Sequence, residues 1–182
     1  LLALHLLVQT LAPVQAAPAF ARVLGGLAES PLALMALAAI VAWAAHSSIA
    51  GVLFVATLAG SGAMDIPAAL AMVAGANLGS AVNPLLQGGG RPGDRARLRL
   101  PIGNLLNRVV GCVVVLAFLP SLSAFAASLD IGPLRLVAGA HLAFNLVTSL
   151  LALPLLRPLA WALRLALPER PELDEAAPRY LD

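Results

Sequence analysis

Lysine is absent from these 182 residues, and charge of any kind is scarce. Asp, Glu, Lys and Arg together make up 11% of the chain, against roughly 25% in soluble domains. Hydrophobic residues make up 60%. A soluble fold of this size still exposes about a third of its chain surface, so water cannot be the solvent for all of it. Aromatic residues are only 4%, too few for the Trp and Tyr girdles of an outer-membrane barrel. The apolar runs are long and uniform and do not alternate, which points to helices. The composition therefore predicts an all-α polytopic membrane protein. There is one cysteine, Cys112, inside an apolar run. It can form no internal disulfide and reads as a small packing residue. No GxSxG, HExxH or Cys/His set is present, so neither a serine hydrolase nor a zinc enzyme is expected. A non-enzyme without a cofactor is the reading.

All eleven cationic residues are Arg, and their placement is uneven. Arg91, Arg95, Arg97 and Arg99 form one cluster. Arg157, Arg164, Arg170 and Arg179 form a second, mixed with acids. The stretch Ser121–Pro133 has none. The positive-inside bias puts both clusters, and with them the C-terminal tail, in the cytoplasm and Ser121–Pro133 outside. A short basic cluster beside a membrane span does not suggest nucleic acid as a partner. No charged segment precedes Leu1–Leu11, so it does not read as a signal peptide. It reads as the end of a helix begun upstream, Leu1–Pro13 being apolar with His5, Gln9 and Gln15 at fourfold or near-fourfold spacing, and the chain as a fragment of a longer protein.

Ala16–Pro31 reads as a linker or short amphipathic helix. Ser30 then offers an N-cap and Pro31 a first helical residue. Leu32–Ala45 and Ile49–Ala59 are apolar, but each is shorter than the twenty or so residues a bilayer requires. Between them lies His46-Ser47-Ser48. Two half-length helices around a polar tip suggest a re-entrant hairpin, with one long, polar-centred span as the other possibility. Asp65 and Pro67 start the next helix, expected to end near Ala74. The following stretch, Gly75–Pro84, holds two Gly, two Asn, a Ser and a Pro, a composition that predicts broken helix. A glycine turn follows at Gly88-Gly89-Gly90. Leu98–Pro120 and Leu134–Leu156 are full spans. Leu159–Leu167 is a basic amphipathic helix suited to the headgroup plane. Pro168–Asp182 is charged, proline-rich and soluble. The membrane part is thus expected over residues 1–158 and a cytoplasmic helix and tail over residues 159–182.

The polar residues inside these runs are the candidate site. At a hairpin tip, freed amides and the hydroxyls of Ser47 and Ser48 favour an anion, and helix-end carbonyls favour Na⁺. Asn77, Ser80 and Asn83 offer hard oxygens of the kind Na⁺ takes, while Gly75 and Gly79 also fit a small-residue packing seam. A weak internal echo pairs Asn104 with His141 and Arg108 with Asn145. Asn104 and Arg108, and likewise His141 and Asn145, are four apart within one helix and so share a face. A charge within a span, such as Arg108, is expensive and commonly functional, though it can also snorkel to the cytoplasmic face. His141 and Asn145 are expected to bond across helices. Asp65 and Asp130 read as helix caps.

Taken together, the Ser-bearing tip, the Gly75-Ala76-Asn77-Leu78-Gly79-Ser80 segment and the spans carrying Asn104-Leu105-Leu106-Asn107-Arg108 and His141-Leu142-Ala143-Phe144-Asn145 resemble the bacterial sodium-dependent phosphate cotransporter family. His46 stands where that family has Gln, and Ser47 and Ser48 match its first two serines. Ile49 stands where it has a third. Leu78 replaces Ile, Ser80 a first Thr and Ala81 a second. The resemblance implies one half of an inverted-repeat transporter, with a second copy of the unit completing the site. It implies sodium-coupled uptake of inorganic phosphate across the inner membrane. Phosphate would be held at His46, Ser47, Ser48 and Asn77, and sodium at Ser47, Asn77, Ser80 and Asn83. Asn104, Arg108, His141 and Asn145 would support them. Pro178–Asp182 resembles a linker to a PhoU-like domain. The departures at His46, Ile49 and Ala81 motivate an alternative, an anion-binding or regulatory membrane protein that does not transport.

Overall fold

The computed structural model describes residues 9–10, 13, 17–88 and 95–169. His5, Gln15, Arg91, the last two glycines of the Gly88–Gly90 turn and residues 170–182 lie outside it. The described residues are helical and contain no strand. In chain order they form α1 (Pro18–Leu27), α2 (Pro31–Ala44), α3 (Ser48–Gly60), α4 (Ile66–Gly88), a 3-10 turn (Arg95–Leu98), α5 (Arg99–Ala117), α6 (Leu119–Ser128), α7 (Pro133–Ala152), a second 3-10 turn (Leu153–Leu155) and α8 (Leu156–Ala166). Three stretches, Ile66–Gln87, Arg95–Ala117 and Pro133–Ala166, are long and apolar enough to cross a membrane. The chain is an all-α membrane protein.

The hairpin is present as the helix lengths required. α2 has 14 residues and α3 has 13, each too short to cross. Ser30 caps α2 by accepting from Ala33 N at 3.3 Å, with Pro31 at the first position. Asp65 caps α4 by accepting from Ala68 N at 3.0 Å. Asp130 differs from expectation. It follows α6 with φ +48° and donates its amide to Ala127 O, closing a helix end rather than opening one. Gly132 precedes α7 instead.

The largest departure is α4. A break was expected over Gly75–Pro84, yet one 23-residue helix runs through it with Pro84 inside. The reason lies in what the glycines face. A Cβ on Gly75 would collide with the backbone carbonyl of Met35, and one on Gly79 with that of Ala39. The next contact in the series is Asn83 Nδ2 donating to Trp43 O at 3.3 Å. The pairs 35/75, 39/79 and 43/83 keep one offset, so α2 and α4 run parallel at backbone contact. The glycines are therefore packing positions. Hydrocarbon offers no water to backbone groups freed by a break, which favours an unbroken helix. Gly51 of α3 closes the third side, since a Cβ there would lie 2.9 Å from Ala76 Cβ and 3.0 Å from Ala42 Cβ.

The later spans also shift. α5 ends at Ala117, and the end of the expected span together with the start of the expected outer connection forms a separate helix, Leu119–Ser128, with Pro120 in its first turn. Pro120 cannot donate to the carbonyl four residues back and its ring crowds it, so the chain turns at Phe118. α7 ends at Ala152, and a turn containing Pro154 leads into α8. α8 lies against the start of α5. Leu163 and Leu159 face Gly103, while Arg99 donates to Leu167 O at 2.9 Å and pairs with Glu169 at 2.7 Å.

Candidate functional site

Four polar side chains meet where α4, α5 and α7 cross. Arg108 is the central residue of the 19-residue α5. Asn77 is the central residue of the 23-residue α4. His141 and Asn145 flank the middle of α7, which spans Pro133–Ala152. From Arg108 to either end of its helix is about 13 Å at 1.5 Å per residue, so the side chain lies at mid-span. It does not snorkel. Its Nη1 donates to Asn145 Oδ1 at 2.6 Å and to Asn77 Oδ1 at 3.5 Å.

Asn77 is 2% exposed and its amide is fully engaged. Nδ2 donates to Val73 O at 2.9 Å and to His141 Nδ1 at 3.1 Å. Its Oδ1 also accepts from Asn145 Nδ2 at 3.0 Å. Asn145 Nδ2 further donates to His141 O at 2.8 Å, back along its own helix. Every amide hydrogen and carbonyl of the two asparagines thus has a partner. The guanidinium carbon of Arg108 lies 5.7 Å from the centre of the Phe144 ring, a cation–π distance. Beside this cluster Cys112 Sγ donates to Ala74 O at 3.4 Å. Gly111 gives α7 its close approach, since a Cβ there would meet Thr148 and Phe144 at 2.6 and 2.7 Å.

The expected site residues divide into two groups. Ser47 caps α3, its Oγ accepting from Ala50 N at 3.2 Å. His46 is exposed, holds φ +52° at the turn and has Nδ1 3.3 Å from Ala44 O. Ser48 begins α3 and is half-buried. Asn83 reaches this end of the hairpin through Trp43 O, and its Oδ1 is buried without a partner. Ser80 Oγ donates to Asn77 O within α4. Among the described residues His46, Ser47, Ser48 and Asn83 share no hydrogen bond with the mid-span cluster, and Ser80 meets it only through the backbone carbonyl of Asn77. Asn77 faces α5 and α7, away from the α2 contact, so the bonds do not gather Ser47, Asn77, Ser80 and Asn83 into one shell. Asn104 is exposed and stands outside the cluster. Arg108 and Asn145, equivalent positions in the echo, bond to each other directly, a contact that the echo did not predict. The central place of Asn77 in that bond network was not read from sequence. Its signal is there in part: Asn77, Arg108 and Asn145 are each mid-span, and Asn77 and Asn145 lie between apolar neighbours.

Residues 1–144 match the family described as Na+/Pi-cotransporter. The chain belongs to the Na+/Pi-cotransporter family. It is 34% identical over 183 aligned positions to the "Putative inorganic phosphate export protein YjbB" of Escherichia coli (strain K12), and 32% identical to the protein of the same name from Salmonella typhimurium. Each alignment covers 100% of this chain and 33% of the relative. The chain thus spans about a third of the length of these relatives. No solved structure matches it.

Proposed function

We propose that this chain forms part of a membrane transporter for inorganic phosphate. One observation carries the reading. A guanidinium sits at the middle of a membrane span, held by neutral amides, beside a half-length hairpin whose tip bears two hydroxyls. A fixed cation in that position favours an anionic cargo. Family membership and the relatives' name support phosphate as that anion. The site would be completed by a second copy of the unit, in an inner membrane, with the Arg95–Arg99 end and the C-terminal tail on the cytoplasmic side. Such halves rock about a central site to give alternating access.

The family's description supports sodium coupling, and an inward Na⁺ gradient would then drive uptake. The hairpin end supplies candidate oxygens for the ion: Ser47 Oγ, the carbonyls that end α2, and the unpartnered Asn83 Oδ1. A second reading, phosphate efflux, is favoured by the relatives' name and by Ile49 and Ala81, which carry no side-chain oxygen. An inside-negative membrane drives each negative charge outward by about 2.3 kcal/mol per 100 mV, so a carrier without sodium would run that way.

The test is radiolabelled phosphate flux in both directions through the intact protein in proteoliposomes, with and without a Na⁺ gradient. Phosphate flux accelerated by inward Na⁺ is expected. Flux indifferent to Na⁺ removes the coupling and leaves efflux. Phosphate binding without flux leaves the non-transporting alternative, and neither binding nor flux overturns the reading.

A further inference from the structure

We infer that Arg108 is a direct phosphate contact, presented by Asn77 and Asn145 as a mid-membrane anion subsite separate from the hairpin tip. The inference rests on the proposed function and adds a residue that the tip-centred site did not include.

The argument begins with charge. A guanidinium keeps its proton in proteins, and a charge in hydrocarbon requires a counter-charge or an escape to the interface. Arg108 has neither. It is central in α5, and its bonds run inward to two amide oxygens. The described carboxylates are elsewhere. Asp65 caps the start of α4, twelve residues before Asn77 and so about 18 Å along that helix. Asp130 follows the end of α6. Glu169 is taken by Arg99. Glu29 precedes α2 at the chain's other end. Around Arg108 itself stand Asn77, Asn145, His141, Cys112 and the Phe144 ring, with no acid among them. The cluster therefore carries a positive charge that no described residue balances.

Geometry then says what kind of ligand would balance it. The two asparagine oxygens both engage Nη1, leaving Nε and Nη2 with no protein partner among the described residues. Those two groups form one edge of the planar fork that fits two oxygens of a phosphate. The asparagines cannot swing to meet an anion in its place, because each is tied on both its nitrogen and its oxygen. Their role is positional. They fix one side of the guanidinium and leave the other to the ligand. The residue is half-buried among the described residues. The Phe144 face beneath it excludes water from one side and strengthens any ion pair formed on the other.

The experiment measures phosphate affinity in the intact protein by two readouts. One is the phosphate concentration giving half-maximal flux. The other is the rise in unfolding temperature with added phosphate in detergent, which follows occupancy. Arg108→Gln is expected to raise the half-saturating phosphate roughly 10- to 100-fold, the range of a charge-assisted contact, and to abolish the thermal response. Arg108→Lys keeps the charge without the fork and is expected to raise it by less than about tenfold. An Arg108→Gln protein that folds and keeps wild-type half-saturation overturns the inference. If that variant does not fold, an Arg108→Lys protein with unchanged half-saturation and unchanged thermal response overturns it. A wild type showing neither flux nor thermal response refutes the proposed function itself. A responsive wild type with equally responsive Arg108 variants refutes the inference alone.

Discussion

The two faces of α4 that meet α2 and α5 are built from one short stretch of sequence to opposite ends. Toward α2, Gly75 and Gly79 remove side chains and let backbone touch backbone. Toward α5 and α7, Asn77 fills the contact with an amide whose every hydrogen-bonding group is engaged. The first face is a seam that holds by shape. The second is a joint that holds by polarity and so can carry a ligand's charge. A single helix can do both because residues two apart point about 200° away from each other. The half-length hairpin needs the seam, having too little length to anchor itself across a bilayer. The transport site needs the joint.

The seam predicts the largest effect. Gly79→Ala places a methyl against the carbonyl of Ala39, which is backbone and cannot turn aside. The helices must separate, with loss along all three contact pairs. A destabilisation of about 3 kcal/mol is expected, the upper part of the overpacking range. Thermal or denaturant unfolding of the detergent-purified protein measures it. A loss below about 1 kcal/mol would mean the seam is not tightly closed, and the distinction between the two faces would fail.

The hairpin tip gives a smaller effect that separates two roles of one hydroxyl. Ser47 Oγ caps α3, and Ser→Ala at an N-cap costs about 1 kcal/mol. Ser47→Ala is expected to lower stability by that amount. Ser47→Asp keeps a capping oxygen and should restore the stability, while adding a negative charge at the tip. If phosphate passes the tip, Ser47→Asp will weaken its half-saturation more than Ser47→Ala does. Equal transport by the two variants would confine Ser47 to capping and leave Arg108 as the anion's principal contact.

These differences also explain what could be read in advance. The caps at Ser30 and Asp65, the short lengths of α2 and α3 and the shared faces of Asn104 with Arg108 and of His141 with Asn145 all depend on local chemistry or a four-residue period, which a single sequence displays. The continuity of α4 does not. Glycine weakens an isolated helix by roughly 1 kcal/mol against Ala, so Gly75 and Gly79 look like a break until the carbonyls of Met35 and Ala39, forty residues away, are placed beside them. Pro120 was likewise assigned to the end of a span, when it opens α6. Where a residue's meaning is set by a distant partner, the sequence leaves it open.

The echo between α5 and α7 gives the smallest effect and the narrowest test. By sequence, Asn104 stands to Arg108 as His141 stands to Asn145, each pair four apart on one helix face. In the fold the correspondence is incomplete. His141 accepts from Asn77, whereas Asn104, one turn from Arg108 toward the helix start, is exposed and outside the network. The difference follows from α4, which meets α5 at Arg108 and Cys112 and brings no polar partner to Asn104. Asn104→Ala should therefore change stability by less than about 0.5 kcal/mol, as a surface substitution does, and leave phosphate half-saturation unchanged. His141→Ala would leave the Asn77 amide short of an acceptor and serves as the contrasting measurement. Equal losses from the two would show that the repeat extends to both helices, with Asn104 meeting a polar partner from the remainder of the transporter.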